Sequence, residues 1–310
     1  MRSINFAFLG AQEIVRELGK KGTTSDLAIF DRKESESIYT WTTPISYPDK
    51  IQSLLQALNM GEYVIIHVTK FDKFLGEQII AINSLSIQDG IIFMSYEVDE
   101  DKLKSLIKGT SLEKFVLVHD IESLKREIHR IEPKKNLGPL LLPIDHAFEV
   151  KGVGTVALGV IKQGSLKVHD EFQIYPQNKK ILVKSIQMHD DSVLDSESPS
   201  RVGLALKGIY ADDISRGDII SSPGYIISTI DETVKVNFEK NSYFNEIISE
   251  TQTYYISIGL QIKPVKIKIN NNIEILPEIP FSFHVDQKFA ILKLDSSKNR
   301  IVGSGSITKQ

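Results

Sequence analysis

The chain has 310 residues, of which 41% are hydrophobic and 25% are charged, a composition typical of a globular protein with two or three domains. It contains no cysteine, which excludes disulfides, thiolate catalysis and cysteine-ligated zinc and is typical of a cytosolic protein. The formal net charge of −3 does not indicate a nucleic-acid partner, although it permits local basic patches. No apolar run is long enough to span a bilayer, and the first ten residues lack the pattern of a secretory signal.

Residues 1–133 alternate short apolar runs with segments whose apolar residues recur at helical spacing. The apolar runs predict buried strands at Ile4–Leu9, Leu27–Phe30, Tyr63–Val68, Gly90–Met94 and Phe115–His119. The helical spacing predicts helices at Ile51–Leu58, Gly76–Leu85, Lys102–Ile107 and Ile121–Ile131. This alternation predicts a mainly parallel, doubly wound α/β sheet.

The pattern changes after a polar linker, Pro133–Pro139, that is bounded by proline and glycine. From Pro143 to Ser221, short β-branched runs alternate with turns of Gly, Pro, Asn, Asp and Ser, which predicts a small antiparallel barrel. A second boundary is predicted at Ser221–Gly224. Further strands are predicted beyond it, at Thr233–Phe238, Thr253–Gln261, Val265–Ile269, Phe281–Val285 and Phe289–Leu294.

The order of segments between residues 143 and 221 is more specific than the strand pattern alone. The opening strand Pro143–Val150 leads to the Gly-x-Gly-Thr-Val turn that begins at Gly152, and then to the Gly-x-Leu-Lys hairpin that begins at Gly164. Val183–Gln187 and the Arg-Gly-Asp-Ile motif that begins at Arg216 complete the series. In this order the segments resemble the second domain of the translational GTPases, most closely that of the selenocysteine-specific elongation factor SelB and its relative EF-Pyl.

The resemblance implies three domains. These are a GTPase-like α/β domain at 1–135, a barrel like the second domain of translation factors at 136–224, and a further barrel at 225–310.

The segment after the first strand lacks the residues that would bind a triphosphate. A phosphate-binding loop needs Gly-x-x-x-x-Gly-Lys-Ser/Thr, in which glycines let the backbone wrap the phosphates, lysine reaches them and the hydroxyl holds magnesium. Counted from Gly10, the sequence places Val15 at the second glycine, Arg16 at the lysine and Glu17 at the hydroxyl. Leu18–Asp26 contains Gly, Lys and Thr in the wrong order, and it fits either a solvated basic turn or a contact surface like that of EF-Pyl.

The other nucleotide motifs of the family are also missing. The Asp-x-x-Gly motif would lie near Trp41–Pro48, where neither Asp nor Gly occurs, and the catalytic histidine that follows it is absent. The guanine-reading Asn-Lys-x-Asp would lie near Ser95–Asp99, where only Asp99 could serve, with a slip of one residue. We therefore predict a pseudo-GTPase domain that binds no nucleotide cofactor and does not hydrolyse GTP.

The resemblance also implies an RNA site, because the second domain of the family holds the aminoacylated end of tRNA. Asp145, His146 and Phe148 match its opening strand, and Phe148 could stack on the terminal adenine. Arg201 matches a position that faces the aminoacyl group in SelB-like factors. Arg216 matches the arginine that approaches the acceptor 5′ end, a role suited to a forked donor.

Four of these candidates also have a structural interpretation. The alternatives are a core position for Phe148, which the pattern favours, an ion pair of Arg216 with Asp212 or Asp213, and a hydrogen-bonded pair of Asp145 and His146.

The seven histidines have no metal-ligand spacing, so no metal site is predicted. We predict a monomeric cytoplasmic protein, without a membrane partner, that binds the small ribosomal subunit or the acceptor end of a tRNA. One alternative is a functional elongation GTPase with an unorthodox nucleotide site that delivers an aminoacyl-tRNA. Another is a structural protein that silences or assembles ribosomes.

Overall fold

The computed structural model describes residues 2–229, 232–269 and 273–308. An α/β domain is followed by two closed antiparallel barrels of six strands each, which confirms the predicted fold class. None of the helices in the described ranges combines the length and the apolar character needed to cross a bilayer.

The α/β domain is built on a seven-stranded sheet with the strand order β2-β3-β4-β1-β5-β6-β7. In chain order its elements are β1 (Arg2–Leu9), α1 (Gln12–Leu18), β2 (Lys20–Thr24), β3 (Leu27–Glu34), β4 (Ser37–Pro44), α2 (Ile51–Met60), β5 (Tyr63–Val68), α3 (Lys73–Ser84), β6 (Gly90–Met94), α4 (Glu100–Ile107), β7 (Val116–Val118) and α5 (Ile121–Arg130). The strands β4, β1, β5, β6 and β7 run parallel, whereas β2 and β3 form an antiparallel hairpin at one edge.

Two strands of this sheet are not predicted by the sequence pattern. β4 is buried on both faces, but its threonines interrupt the apolar run, so it does not resemble a core strand. The basic turn expected within Leu18–Asp26 is wrong, because Lys20–Thr24 form the exposed edge strand β2. The polar sequence of β2 does not predict a strand, and β2 forms through backbone hydrogen bonds with β3.

The helices begin where the sequence supplies side-chain caps. The Asp72 carboxylate accepts hydrogen bonds from the backbone N–H groups of Phe74 and Leu75 at the start of α3, at 3.0 and 2.9 Å. Asp99 caps α4 and Asp120 caps α5 in the same way. Such caps satisfy backbone donors that would otherwise lack partners in the first turn.

The first barrel closes in the order β11-β16-β8-β9-β15-β12, with β12 returning to β11. Its elements are β8 (Leu141–Val150), β9 (Gly154–Val160), β10 (Ser165–Lys167), β11 (Glu171–Tyr175), β12 (Lys179–Met188), β13 (Asp191–Val193), β14 (Asp195–Glu197), β15 (Arg201–Lys207) and β16 (Ile219–Ser221). Its core is aliphatic, with Leu142, Ile144, Ile174, Val183 and Leu204 fully buried.

The second barrel closes in the order β18-β21-β20-β19-β23-β24, with β24 returning to β18. The third part of the chain contains β17 (Ile227–Ser228), β18 (Val234–Lys240), β19 (Tyr254–Ile258), β20 (Gln261–Ile269), β21 (Ile273–Pro277), β22 (Ser282–Phe283), β23 (Lys288–Leu292) and β24 (Ile301–Ile307). The predicted strand Thr253–Gln261 is wrong in its extent. The chain turns at Gly259, where a φ of +55° favours glycine, and β20 begins at Gln261.

We predict opposite effects on stability for alanine at two glycines. A Cβ at Gly305 would lie 1.8 Å from the carbonyl oxygen of Asn237 on the paired strand β18, whereas a Cβ at Gly76 in α3 would meet no atom within 4 Å. We expect Gly305→Ala to lower the free energy of unfolding by at least about 2 kcal/mol, because it overpacks the strand pair. Gly76→Ala should raise it by up to ~1 kcal/mol, because alanine is the better helix former.

Urea unfolding followed by circular dichroism measures both effects. Equal urea concentrations at the unfolding midpoints of the two variants would contradict the close approach of β18 and β24.

Candidate functional site

The candidate site is built around a bulge in β8. The pairing of β8 with β9 shifts register between Ile144 and His146, so Asp145 is the extra residue of the bulge. A bulge reorients the side chains that follow it. Ile144 and Asp145 are consequently both buried, and His146 and Phe148 turn outward.

The buried Asp145 carboxylate is paired with Arg201 of β15. Arg201 Nη2 donates to both carboxylate oxygens, at 2.8 and 2.9 Å, and the two side chains are only 17% and 4% exposed. Burial raises the pKa of the Asp145 carboxyl, and the Arg201 charge opposes that rise. The predicted hydrogen-bonded pair of Asp145 with His146 is wrong, because among the described residues Arg201 is the side chain that bonds to the carboxylate.

Arg216 joins this site to the α/β domain. Its Nε donates to the Asp145 backbone carbonyl at 3.1 Å, and its Nη2 donates to the Ser25 hydroxyl at 2.6 Å. Ser25 lies in the turn between β2 and β3. The predicted ion pair of Arg216 with Asp212 or Asp213 is wrong, and Asp213 pairs with Lys179 at 2.9 Å.

His146 and Phe148 form an exposed aromatic pair. Their ring centroids are 5.6 Å apart, and Phe148 is 37% exposed. The core position that the pattern favours for Phe148 is therefore wrong. Strict alternation from the buried Ile144 would direct His146 and Phe148 inward, but the bulge at Asp145 reverses the phase of the strand. An exposed aromatic face of this kind can stack on a nucleobase.

All five predicted site residues thus lie together on β8 and the segments that contact it. Asp145, His146 and Phe148 are on β8 itself, and Arg201 and Arg216 reach it from β15 and from the loop before β16. Sequence reasoning missed Ser25, which lies 191 positions from Arg216 and gives no local signal of that contact.

The predicted nucleotide region lacks a phosphate-binding loop. Only Gly10 and Ala11 separate β1 from α1, so Val15, Arg16 and Glu17 lie within the helix. Val15 is fully buried against the sheet. The backbone N–H of Ile14, which a loop could turn toward a phosphate, donates to the Ala11 carbonyl at 3.2 Å.

His67 packs against one side of this short connection. A Cβ at Gly10 would lie 2.6 Å from Cβ of His67, so the end of β5 packs directly on it. The His67 ring stacks on Phe93 with centroids 4.8 Å apart, and its Nε2 lies 3.4 Å from the Ser95 hydroxyl. Burial lowers the pKa of His67. Next to Gly10 there remains an open cavity of about 340 Å³, whose lining includes Arg16 and Tyr47.

Asp99, the one residue that could serve in guanine recognition, caps α4. Its Oδ1 accepts a hydrogen bond from the Lys102 backbone N–H at 3.0 Å. Within residues 2–229, 232–269 and 273–308, no group of three or more His, Asp or Glu side chains could hold a metal ion.

Comparisons with known proteins agree with this architecture. A family model described as "Elongation factor Tu domain 2" matches residues 154–221, which extend from β9 to β16. The chain is 32% identical over 312 residues to the uncharacterized protein MJ0325 of Methanocaldococcus jannaschii, a match that covers 99% of this chain and 100% of that protein.

Two further comparisons involve selenocysteine-specific factors. The chain is 26% identical over 313 residues to the selenocysteine-specific elongation factor of M. jannaschii, which covers 90% of this chain and 66% of that factor. The crystal structure of translation elongation factor SelB from Methanococcus maripaludis, in complex with the GTP analogue GppNHp, matches with a TM-score of 0.84 at 21% identity. That match covers 100% of this chain and 79% of the SelB chain, and it shows a shared fold.

We predict that Asp145→Asn destabilises the protein by about 3–5 kcal/mol, because it leaves the buried Arg201 charge without a counter-ion. The double variant Asp145→Asn with Arg201→Met should lose less free energy of unfolding than Asp145→Asn alone, because it removes both charges. The control is Glu122→Gln, which breaks the exposed ion pair with Lys125. It should lower the free energy of unfolding by less than about 1 kcal/mol. Chemical unfolding of the variants measures these differences, and an Asp145→Asn cost no larger than the control's would contradict the burial of the pair.

We predict a second effect, on pH dependence, for His67. Because its folded pKa is lowered from the ordinary value of 6.5, its contribution to stability is fully present above pH 6.5 and is lost as the pH falls through the folded pKa. His67→Asn should therefore lose less free energy of unfolding than the unmodified protein between about pH 7.5 and about pH 5. Urea unfolding of both proteins at the two pH values measures the difference.

Proposed function

From the premise that this chain belongs to the translational GTPase family and has a SelB-like elongation-factor fold, we propose that it is a family member that no longer binds GTP and instead binds the acceptor end of a tRNA. Within the family we place it near SelB and EF-Pyl. It acts by binding, without GTP hydrolysis, as a cytoplasmic monomer.

The observation that carries this proposal is the cluster of candidate residues around β8. Five residues that the resemblance associates with the aminoacylated end of tRNA lie in one place, although their positions extend from 145 to 216. Within the cluster the Asp145 carboxylate accepts from Arg201 Nη2, and the aromatic pair faces outward. Among the described residues, the buried Nε of Arg201 has no hydrogen-bond partner. An exposed ring beside fixed arginines suits a terminal base and the phosphates next to it.

The geometry after β1 supports the proposed loss of GTP binding. A triphosphate needs several backbone N–H groups turned toward it, a lysine and a bound magnesium ion. Here the connection is two residues long, and Glu13 and Glu17 would add negative charge beside the phosphates. The adjacent cavity offers one arginine, Arg16, in place of these groups.

Titration with fluorescent GTP in the presence of magnesium tests the first part of the proposal. We expect no saturable binding at micromolar concentration and no hydrolysis. Saturable binding that Arg16→Ala abolishes would replace this proposal with the alternative of a GTPase that uses an unorthodox site.

Binding to tRNA tests the second part. We predict that Phe148→Ala weakens binding of aminoacyl-tRNA by about 5- to 150-fold, the equivalent of ~1–3 kcal/mol for one lost stacking contact. Leu194→Ala is the matched control, because Leu194 is also apolar and exposed on the same barrel, and it should leave the affinity unchanged.

The binding assay should be run at two salt concentrations and repeated with deacylated tRNA and with small ribosomal subunits. Equal affinity of the Phe148 and Leu194 variants for aminoacyl-tRNA would refute the proposed site. If only ribosomal subunits bind, the protein is a ribosome-binding factor and the assignment of the acceptor end is wrong.

A further inference from the structure

An open groove of about 700 Å³ lies between the two barrels. The first barrel contributes β11 and the hairpin that follows it, and the second contributes Lys263 of β20 and the segment before β22. The connection between the barrels, which includes β17, forms the remaining wall. None of the five candidate residues around β8 lines this groove, so the proposed tRNA site does not account for it.

The wall formed by the connection carries a strand with one unpaired edge. In the described part of the chain, β17 pairs with β22 alone, in a sheet of two strands. The Thr229 N–H donates to the Phe281 carbonyl at 2.9 Å. Because antiparallel strands alternate between hydrogen-bonded and non-hydrogen-bonded pairs, the neighbouring pair of Ser228 with Ser282 is a non-hydrogen-bonded one. The backbone N–H and C=O of Ser228, which lines the groove, therefore point away from β22.

The two edges of this small sheet differ in how their backbone groups are satisfied. On the β22 side, the Gln261 side chain takes the place of a further strand. Its Nε2 donates to the Ser282 carbonyl at 2.6 Å, and its Oε1 accepts from the Ser282 N–H at 2.9 Å. On the β17 side, no described residue takes the place of such a partner for Ser228. An unpaired edge of this kind is a template for an extended peptide, whose backbone supplies the missing hydrogen bonds.

The groove also offers apolar surface beside this edge. Ile279 lines it and is 49% exposed. Tyr175 and Ile226, which line it as well, belong to a buried apolar cluster at the junction of the barrels. An apolar side chain that covered Ile279 would remove its exposed surface from water, which favours binding.

One positive charge lines the groove, and no negative charge does. The charge is that of Lys263, whose ammonium group has no hydrogen-bond or ion-pair partner among the described residues. Gln177, on the opposite wall, donates to the Asp218 carboxylate at 2.5 Å, and the same oxygen accepts from the Ser215 N–H at 2.8 Å. The buried Asp218 is thus bonded to groups other than Lys263, which remains available to a carboxylate from outside.

We propose that this groove binds an extended, acidic segment of a partner protein as an additional strand on β17. The backbone of the segment bonds to the N–H and C=O of Ser228, a carboxylate pairs with Lys263, and an apolar side chain covers Ile279. A nucleic acid fits the groove less well, because the lining supplies one cation and no exposed aromatic ring.

A phage-displayed library of random peptides, selected on the intact chain, is the probe for this groove. We expect the enriched sequences to contain Asp or Glu and to alternate apolar and polar residues, as an added strand does. Enrichment of basic sequences, or the same enrichment on a chain that carries Ser228→Pro, would overturn the proposal.

A synthetic peptide of the enriched sequence tests the charge. Lys263→Met should weaken its binding by at least about 10-fold, because one charge-assisted hydrogen bond is lost. Lys268→Met is the matched control, because Lys268 is exposed on the same strand but does not line the groove, and it should leave the affinity unchanged. Equal affinities of the two variants would show that no carboxylate pairs with Lys263.

The same peptide tests the strand edge. Ser228→Pro removes the outward N–H, a change that strand edges tolerate, and should abolish saturable binding. Ser228→Ala removes the hydroxyl but keeps the N–H, so it should bind the peptide like the unmodified chain. If the circular dichroism of Ser228→Pro shows that it is unfolded, amide hydrogen exchange of the unmodified chain replaces it. Peptide binding that leaves the exchange rate of the Ser228 amide unchanged would contradict the added strand.

Two further measurements separate this proposal from its alternatives. If sedimentation shows a dimer that Lys263→Met dissociates, the groove holds a second copy of the chain and the assignment to a partner protein is wrong. Phe148→Ala, outside the groove, should bind the peptide with unchanged affinity, so failure of the proposed tRNA site and failure of the groove are distinguishable.

Discussion

The burial of α2 and α3 between the sheet and the second barrel is the constraint on which the molecule depends. A helix on an α/β sheet ordinarily buries one stripe against the strands and leaves the other side to solvent. Here the same core cluster includes Ala290, Leu292 and Ile301 of the barrel, so both sides of the helical layer are covered. The barrel is therefore part of the hydrophobic core of the domain beside it.

The segment after β1 and the cluster around β8 differ in how their side chains are used. After β1, a two-residue connection leads into the helix α1, whose Val15 is fully buried in the core. At β8, the charges are kept and paired internally, with Arg201 on Asp145 and Arg216 on the Asp145 carbonyl. In the first region Val15 is packed in the core, whereas the second region has an exposed aromatic pair beside a buried ion pair.

Much of the fold could be predicted from the sequence, because its signals are local. The apolar runs and the helical spacing reflect burial of one element at a time, and they identify the strands β1, β3, β5, β6 and β7 and the helices α2 to α5. The strand β4 could not be found in this way, because its threonines are buried among other strands. The five site residues were found by resemblance, but their partners were not. The bulge at Asp145 inverts the alternation on which the prediction for Phe148 depended, and the Ser25 contact joins distant parts of the chain.

The two edges of the α/β sheet have a consequence for how the protein behaves at high concentration. Unpaired strand edges invite another chain to add a strand, which is a common route to aggregation. One edge of this sheet is β2, where Lys20 and Lys21 are exposed, and the other is β7, which is three residues long. Lysines and short strands both discourage such pairing, and the two barrels close on themselves. Both edges of the α/β sheet are thus protected against edge-to-edge association, and the strands that close the two barrels pair on both sides.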